Sequence, residues 1–305
     1  MRNALAGVLL LMAAGCAPGT GPTPDGATNA AQPKSAQPGL FGTDAAVTPS
    51  KPDATLRYAD HPRGFAELRL PNGKGPFPLA VIFHGGCWKT GIATQAYMAP
   101  LATRWQEHGI ATLNVDYREV GDGGGWPGSF ADWDAAADLI RELAPRYSVD
   151  LTRITLVGHS AGALPAQWLA AASGSDGPVP NRLSTLVQNA IVFDGPSDLA
   201  RESEAFDGLC KFSSVAPFMG GTVAEVPARY AAIGPLAHPP RLRHLMVVQA
   251  VLPPPGEVAA EALRAAGVRV TVHANPGASH FSVITPGAPE YQAVEAELLR
   301  LLRQR

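Results

Sequence analysis

Ser160 stands between two glycines in the segment 156-LVGHSAGALPAQ-167, immediately after an apolar run. The pattern Gly158-His159-Ser160-Ala161-Gly162 is a G-x-S-x-G sequence, which is typical of a serine held on a sharp turn from a strand into a helix. Small residues two positions away on each side keep such a turn free of clashes. Because a serine hydroxyl is a weak nucleophile near neutral pH, the chain must also supply a base, an acid and hydrogen-bond donors for an oxyanion.

His280 is the predicted base. It lies in 276-PGASHFSV-283, a loop that is predicted to follow the last strand and to precede the last helix. The chain order serine, acid, histidine is typical of hydrolases that carry a G-x-S-x-G turn. His159, inside the motif, is expected to orient neighbouring groups rather than to react.

Two glycines in 84-HGGCW-88 are candidates for a turn that binds an oxyanion. They directly follow an apolar run that is predicted to be a strand. Glycines at such a place allow backbone N–H groups to point at a developing negative charge without a side chain in the way. We expect the donors of this turn to come from Gly85, Gly86 or Cys87, and a second donor to be the backbone N–H of Ala161.

Apolar runs with the length of strands alternate with longer stretches of helical periodicity. Strands are predicted at 65–70, 79–84, 110–116, 153–158, 186–193, 244–250 and 268–274. Helices are predicted at about 94–108, 131–143, 160–172, 224–232, 257–266 and 291–301, and the segment 200–222 is expected to be rich in loops. This alternation predicts an α/β fold with a mostly parallel central sheet that helices cover on both faces. Functional residues of such sheets collect at the carboxyl ends of the strands.

The bulk composition is that of a globular protein, with 46% hydrophobic and 16% charged residues. The net charge of −2 argues against a nucleic-acid partner, which needs a basic face. The spacing of cysteines and histidines matches no metal-binding pattern, and the glycines of 121-GDGGGWPG-128 lack the lysine of a phosphate-binding loop. We therefore expect neither a metal ion nor another cofactor.

Residues 1–15 combine one arginine, an apolar run too short to span a bilayer as a mature helix, and small residues, which is typical of a secretory signal. The segment Ala13-Ala14-Gly15-Cys16 resembles the bacterial lipobox, in which Cys16 becomes the lipidated first residue; an ordinary signal peptide with an incidental cysteine is the alternative. Residues 16–54, rich in Pro, Gly and Ala, are predicted to be a disordered tether. Residues 55–305 are predicted to be one folded domain. The expected location is the bacterial cell envelope, periplasmic or on the outer surface, with the lipid as the only membrane contact.

From about residue 64 to 304 the chain resembles α/β-hydrolases of the esterase and lipase type. It is similar to small bacterial carboxylesterases that also resemble the kynurenine-formamidase and feruloyl-esterase-like group. The segments that carry the resemblance are 82-IFHGGCW-88, 114-NVDYREVGDGGGWPGSF-130, 157-VGHSAG-162, 195-GPSDL-199, 217-PFMGG-221, 227-PARYAAIGPLAH-238 and 276-PGASHF-281. The resemblance implies an α/β-hydrolase fold and hydrolase chemistry, and it leaves the substrate open because this fold hosts many esters and amides. Asp116, in the second segment, is expected to be structural and tied to Arg118.

The chain departs from the family pattern at the acid that orients the histidine. In the family a loop of the type His-Gly-x-x-Asp usually follows the strand before the last, whereas this chain reads 246-MVVQAVLPPPGEVAAEALRAAG-267 without an aspartate. Asp194, at the end of the strand in 191-IVFDGPSDL-199, is the preferred acid. Glu257, in the shortened loop, is the alternative, although a carboxylate at the start of a helix is also explained by the helix dipole.

These residues predict hydrolysis of a carboxylic ester or related acyl bond in a small molecule, through an acyl-enzyme on Ser160 with His280 as the base. The missing family aspartate suggests one alternative, a catalytically weak domain kept as a binding lipoprotein. An amide or formamide hydrolase is a second alternative. The oligomeric state is left open.

Cys87 and Cys210 are the two cysteines that remain once Cys16 is assigned to the lipid. Outside the cytoplasm an even pair of thiols tends to be oxidised. In the family resemblance the segment 200–222 leans over the pocket, so that a bridge would pin it beside the 84–88 turn. Two buried, unpaired thiols are the other interpretation, because free cysteine often behaves as a small apolar residue.

Overall fold

The computed structural model describes residues 47–170, 187–234, 242–253 and 257–304, with the backbone alone at 257–259. The strands are β1 (Ala54–Arg57), β2 (Phe65–Arg69), β3 (Phe77–Phe83), β4 (Ala111–Val115), β5 (Val149–His159), β6 (Val187–Phe193), β7 (His244–Gln249) and β8 (Arg269–Ala274). The α-helices are α1 (Ala99–Glu107), α2 (Gly128–Arg141), α3 (Ala163–Ala170), α4 (Leu199–Cys210), α5 (Val215–Met219), α6 (Pro227–Ile233), α7 (Glu257–Ala265) and α8 (Pro289–Leu302).

The strands form one sheet in the order β1-β2-β4-β3-β5-β6-β7-β8. From β4 to β8 every neighbouring pair is parallel, and the antiparallel pairs β1–β2 and β2–β4 complete one edge. The carboxyl ends of the parallel strands therefore meet at one edge of the sheet. This confirms the predicted α/β fold with a mostly parallel sheet.

Alternate side chains of β3 enter two different hydrophobic clusters. Ala80 and Ile82 belong to a cluster with residues of α1 and α8, whereas Leu79, Val81 and Phe83 belong to a cluster with residues of α2 and α3. All five side chains are fully buried. Full burial of a Leu, Val, Ile or Phe side chain contributes about 1.5–3 kcal/mol, so the two helical layers hold the central strands rigidly. The loops at the carboxyl edge are mounted on this frame.

Three features differ from the sequence-based expectation. The edge strand β1 was not predicted, and the segment 200–222 contains α4 and α5 rather than loops alone. The helix α4 buries only Leu199 and Phe206, so its sequence carries little of the apolar periodicity that identifies a helix. Its start is fixed instead by Asp198, whose side chain accepts a hydrogen bond from the backbone N–H of Ala200 at 3.0 Å.

The folded domain begins upstream of residue 55. The backbone N–H of Ser50 donates to the Thr103 hydroxyl at 2.9 Å, and its own hydroxyl donates to the Gln106 side-chain oxygen at 2.7 Å. Residues 50–54 therefore belong to the domain and not to the predicted tether. The predicted signal peptide, Cys16 and most of the tether lie outside the described residues. Within the ranges that the structure describes, no helix is both long enough and apolar enough to cross a membrane.

Candidate active site

The residues that the sequence singles out lie where five parallel strands end. The 84–88 turn follows β3, Ser160 follows β5 and Asp194 follows β6. The loop after β7 begins at Ala250, and the loop after β8 carries His280. The sheet register brings these ends side by side, because Phe83 pairs with Gly158, His159 with Phe193, and Phe193 with Val248.

The turn at Ser160 has the backbone that the G-x-S-x-G motif predicts. The strand β5 ends at His159, and a 3-10 turn at Ser160–Gly162 leads directly into α3. Ser160 has a φ of 55°, in the left-handed region that non-glycine residues rarely adopt. A Cβ atom on Gly158 would lie 2.0 Å from the carbonyl oxygen of Gly162, so no larger residue fits there. The serine is thus held on a sharp, strained turn.

Asp194 and His280 are joined by a hydrogen bond. The Nδ1 atom of His280 lies 2.7 Å from Oδ2 of Asp194. The Asp194 side chain is fully buried, and its Oδ1 atom accepts the backbone N–H groups of Ala250, Val251 and Leu252 at 2.9, 3.0 and 2.9 Å. The loop after β7, which lacks the family aspartate, therefore supplies the donors that hold a carboxylate from β6.

These contacts keep Asp194 ionised. Burial by itself raises the pKa of the Asp194 carboxyl, but the hydrogen bond from His280 and those from the backbone of Ala250 and Leu252 outweigh it and lower the pKa below its usual value. A carboxylate that accepts at Nδ1 requires a proton on that nitrogen. The Nε2 atom of His280 is then the ring nitrogen that can accept a proton from a serine.

The alternative acid Glu257 is the first residue of α7. Its side chain lies outside the described residues, so only its place at the start of the helix is known. That place fits the helix-dipole explanation of this carboxylate.

Ser160 and His280 line one cavity of about 260 Å³. The other lining residues are mostly apolar: Gly86, Cys87, Ile92, Tyr97, His159, Leu209, Cys210, Phe212 and Phe281. Two of the predicted oxyanion donors, Gly86 and Cys87, are among them. Ala161 is the second residue of the 3-10 turn Ser160–Gly162, and the backbone N–H groups in the first turn of a helix have no acceptor within the helix.

Gly85 was predicted as an oxyanion donor, and this prediction is wrong. Its single backbone N–H is donated to the Tyr97 hydroxyl at 2.5 Å. The turn therefore offers Gly86 and Cys87 as donors. Tyr97 was not identified from the sequence, because it lies in a stretch of helical periodicity without any motif; only its contact in the folded chain reveals it.

A buried group of charged and aromatic side chains fixes the start of the 84–88 turn. The His84 ring stacks on Tyr117 at 4.4 Å, and its Nε2 atom lies 3.0 Å from Oδ1 of Asp116. Arg63 binds the same Asp116 oxygen at 2.8 Å and also Glu119 at 2.6 Å. Burial raises the pKa of Glu119 well above its usual value, although Arg63 opposes this. Arg63 thus links Asp116 and Glu119 beneath the turn.

The predicted pairing of Asp116 with Arg118 is wrong. Arg118 binds Asp132 instead, with its Nη2 atom 2.7 Å from Oδ1. Asp116 is structural, as predicted, but its partners are Arg63 and His84.

Cys87 and Cys210 form a disulfide bond, with their Cα atoms 6.1 Å apart. The bond joins the 84–88 turn to the end of α4. Both cysteines and the neighbouring Leu209 and Phe212 line the cavity. Of the two interpretations that the sequence allowed, the structure contains the bridge, and the bridge forms part of the cavity wall.

The double variant Cys87→Ala/Cys210→Ala should lose about 2–4 kcal/mol of unfolding free energy, because the bridge closes a long loop in the unfolded chain. The two cysteines are separated by 123 residues. Urea unfolding of the parent and the variant measures the loss, and the parent in dithiothreitol is the matched control. Equal midpoints, or the absence of a linked Cys87–Cys210 peptide from a non-reduced digest, would contradict the bridge.

No group of three or more His, Cys, Asp or Glu side chains is placed to hold a metal ion within the described part of the chain.

Burial, with the nearby His280, lowers the pKa of His159 to about 3. His159 is therefore neutral at physiological pH, and its ring is fully buried. This agrees with an orienting position for His159.

A serine on a strained turn after β5, a histidine after the last strand and a buried carboxylate bonded to it define an α/β-hydrolase of the esterase type. The chain belongs to the BD-FAE family, whose model matches residues 67–240, more than half of the chain. A search of curated protein sequences finds no significant match.

Solved structures show the same fold. Esterase Est2 of the planctomycete Thermogutta terrifontis superposes with a TM-score of 0.62 at 20% identity, over 82% of this chain and 91% of that one. It has also been solved with propionate or butyrate bound and phosphonylated by sarin. A truncated carbohydrate esterase from gut microbiota gives a TM-score of 0.63 at 18% identity, over 85% of this chain and 99% of that one.

A bifunctional GH43-CE protein of Bacteroides eggerthii gives a TM-score of 0.61 at 22% identity over 81% of this chain. This chain covers 34% of that longer protein. At these identities the similarity establishes the fold alone.

Proposed function

We propose that the protein hydrolyses carboxylic esters of small molecules, with Ser160 as nucleophile, His280 as general base and Asp194 as the acid that orients the histidine. The observation that carries the proposal is the 2.7 Å contact between Asp194 Oδ2 and His280 Nδ1. It leaves Nε2 of a histidine that shares a cavity with Ser160 as the proton acceptor. Membership of the BD-FAE family supports the same chemistry.

The proposed reaction has two halves. Ser160 Oγ attacks the ester carbonyl while His280 Nε2 takes the proton of the serine hydroxyl. The oxyanion that forms accepts hydrogen bonds from the backbone N–H of Ala161 and from that of Gly86 or Cys87. The carbonyl re-forms as the C–O bond to the alcohol breaks, and the alcohol leaves with the proton from His280. Water then attacks the acyl-enzyme with His280 again as base, which releases the acid and restores Ser160.

The cavity favours a short, uncharged acyl group. Its volume of about 260 Å³ is near the small end for binding sites, and its wall consists largely of apolar groups, including Ile92, Leu209, Phe212 and the Cys87–Cys210 bridge. A charged acyl chain would lose hydration there without a charged partner in the wall. The T. terrifontis esterase with bound propionate and butyrate is consistent with acyl groups of this size.

The two alternatives make different predictions. A binding lipoprotein without catalysis was suggested by the missing family aspartate, and the buried carboxylate on His280 counts against it. An amide or formamide hydrolase would use the same nucleophile and base, so only the relative rates on amides and esters separate it from an esterase.

Turnover of p-nitrophenyl acetate and butyrate, combined with a serine-directed fluorophosphonate, tests the proposal. We expect hydrolysis of both esters, irreversible loss of activity with the probe, and mass spectrometry that places the adduct on Ser160. Protein unfolded in urea before the probe is added serves as the control for non-specific labelling. A folded protein that neither turns over the esters nor reacts at Ser160 would favour the binding protein.

We propose further that the domain is exported and anchored to the bacterial cell envelope by a lipid on Cys16. The support is the lipobox-like sequence that ends at Cys16 and the composition of residues 16–54. Two or more acyl chains give stable anchoring where a single chain does not. Mass spectrometry of the mature N-terminus should find an acylated Cys16 after removal of residues 1–15, and Cys16→Ser should release the protein from membranes. An unmodified cysteine, or cleavage elsewhere, would place the protein in the soluble secreted class.

A further inference from the structure

Three consecutive hydrogen bonds connect the 84–88 turn to the backbone of His280. The backbone N–H of Gly85 lies 2.5 Å from the Tyr97 hydroxyl, which lies 2.8 Å from Nδ1 of His159. The Nε2 atom of His159 lies 2.9 Å from the backbone carbonyl oxygen of His280. We name this series of hydrogen bonds the Tyr97–His159 bridge. It begins in the 84–88 turn and ends at the backbone of the base.

The donor at one end, the Gly85 N–H, and the acceptor at the other, the His280 carbonyl oxygen, fix the direction of every bond in the bridge. A carbonyl oxygen only accepts, so His159 carries its proton on Nε2 and donates it to His280. Burial and the nearby His280 lower the pKa of His159 to about 3, so that its Nδ1 atom has no proton and accepts from the Tyr97 O–H. The Tyr97 oxygen then accepts the N–H of Gly85. A single arrangement of hydrogens satisfies all three bonds.

The bridge is held tightly at Ser160. His159 is fully buried, and a Cβ atom on Gly85 would lie 2.7 Å from Cβ of Ser160. The ring of Phe281 packs on His159 at 5.4 Å and on the His280 ring at 5.0 Å. A substitution of Tyr97 or His159 would therefore shift the positions of Ser160, the 84–88 turn and His280 together.

We propose that Tyr97 and His159 are positioning residues for ester hydrolysis, which tie the oxyanion turn to the backbone of His280 so that both keep their places relative to Ser160. The proposal rests on the function proposed above. Neither side chain exchanges a proton with substrate. By taking the Gly85 N–H, Tyr97 also fixes the rotation of the turn that presents Gly86 and Cys87 to the cavity.

Tyr97→Phe removes the hydroxyl, and with it the hydrogen bonds to Gly85 and His159, but keeps the ring. We expect kcat for p-nitrophenyl butyrate to fall about 10- to 100-fold, because small displacements of catalytic groups cost rates of this size. KM should change less than about 3-fold, since the cavity wall keeps its shape. Tyr291→Phe is the matched control, because the hydroxyl of the buried Tyr291 accepts from Trp105 Nε1 at 3.0 Å in the contact between α1 and α8. It should keep the parent kcat even where it lowers the melting temperature.

Two substitutions at His159 test whether its hydrogen bonds, rather than its bulk, support catalysis. His159→Gln keeps an amide N–H near the position of Nε2 and should retain more of the parent kcat than His159→Leu, which keeps neither bond. If the bridge acts as one unit, Tyr97→Phe/His159→Leu should lose no more kcat than the worse single variant, rather than the product of both losses. His244→Gln, which changes a buried histidine at the amino end of β7, is the control for the loss of a buried imidazole.

A parent-like kcat for folded Tyr97→Phe, multiplicative losses in the double variant, or equal losses for Gln and Leu at position 159 would each overturn the proposal. Failure of the proposed function gives a different result, because the parent protein itself would then neither hydrolyse esters nor react at Ser160. A measurement without turnover covers that case. Nitrogen NMR of histidine-labelled parent at pH 7 should show His159 protonated on Nε2 alone, and a proton on its Nδ1 would overturn the bridge.

Discussion

Replacing Ser160 by alanine should lower kcat on an activated ester by about 10³-fold or more and leave the fold intact. The hydroxyl is the atom that would form the acyl-enzyme, and no other nucleophilic oxygen is placed on the strained turn after β5. Its loss removes one small polar group from a tight turn, so the melting temperature should change little. Steady-state kinetics with p-nitrophenyl butyrate and a thermal melt of the same preparation measure both quantities.

Ser148→Ala is the matched control for this substitution. Ser148 is exposed and immediately precedes β5, at the opposite end of the strand that carries Ser160. It should keep the parent kcat. Parent-like hydrolysis by purified Ser160→Ala, with contaminating esterases removed, would show that the turn is not the site of attack.

Asp194→Asn should lower kcat by about 10²- to 10⁴-fold. The amide keeps the size of the carboxylate, and its oxygen can still accept from the loop after β7. Its NH2 group would then face Nδ1 of His280 and favour the tautomer with the proton on Nε2. That proton would occupy the nitrogen that has to accept the serine proton. Steady-state kinetics should show the loss in kcat, with the circular dichroism spectrum unchanged.

Glu257→Gln is the comparison for Asp194→Asn, because it neutralises the other candidate carboxylate. It should cost little activity. A large loss for Glu257→Gln together with a small loss for Asp194→Asn would move the acid to the start of α7. Small losses for both would indicate a Ser160–His280 dyad that is oriented by a carbonyl or a water molecule.

The sequence predicts most of the sheet because its central strands are buried on both faces and read as continuous apolar runs. The seven predicted strands correspond to β2 through β8, with ends shifted by a few residues. The edge strand β1 escapes because only Leu56 of its four residues is buried. The helix α4 escapes for the same reason, since an exposed helix on the rim needs few apolar residues.

Those residues of the candidate site that a sequence motif or the end of a predicted strand identifies could be predicted from the sequence. Ser160 and His280 follow from the turn motif and from the loop after the last strand. Asp194 follows from its place at the end of β6. Tyr97 does not, because its role depends on where the turn before α1 meets Gly85 and His159 in space.

The error at Asp116 has a similar origin. The antiparallel pairing of β2 with β4 places Ala66 beside Val115, so that the residues just before β2 meet the residues just after β4. Arg63 reaches Asp116 for this reason. The sequence of one strand does not reveal its register with an antiparallel partner. Arg118, which is close in sequence, was therefore predicted instead of Arg63.

The placement of Asp194 shows that a carboxylate attached to the end of one strand can occupy a position beside the end of the neighbouring strand. Parallel neighbours such as β6 and β7 run about 4.8 Å apart, which an aspartate side chain can bridge. The Asp194 backbone N–H donates to Val248 of β7 at 2.8 Å, while its carboxylate sits among the amides that follow β7. A comparison that aligns enzymes strand by strand would score this chain as one that has lost its acid. The imidazole of His280 still meets a carboxylate. Inactive hydrolases therefore need to be identified from the atoms around the histidine ring rather than from the columns of an alignment.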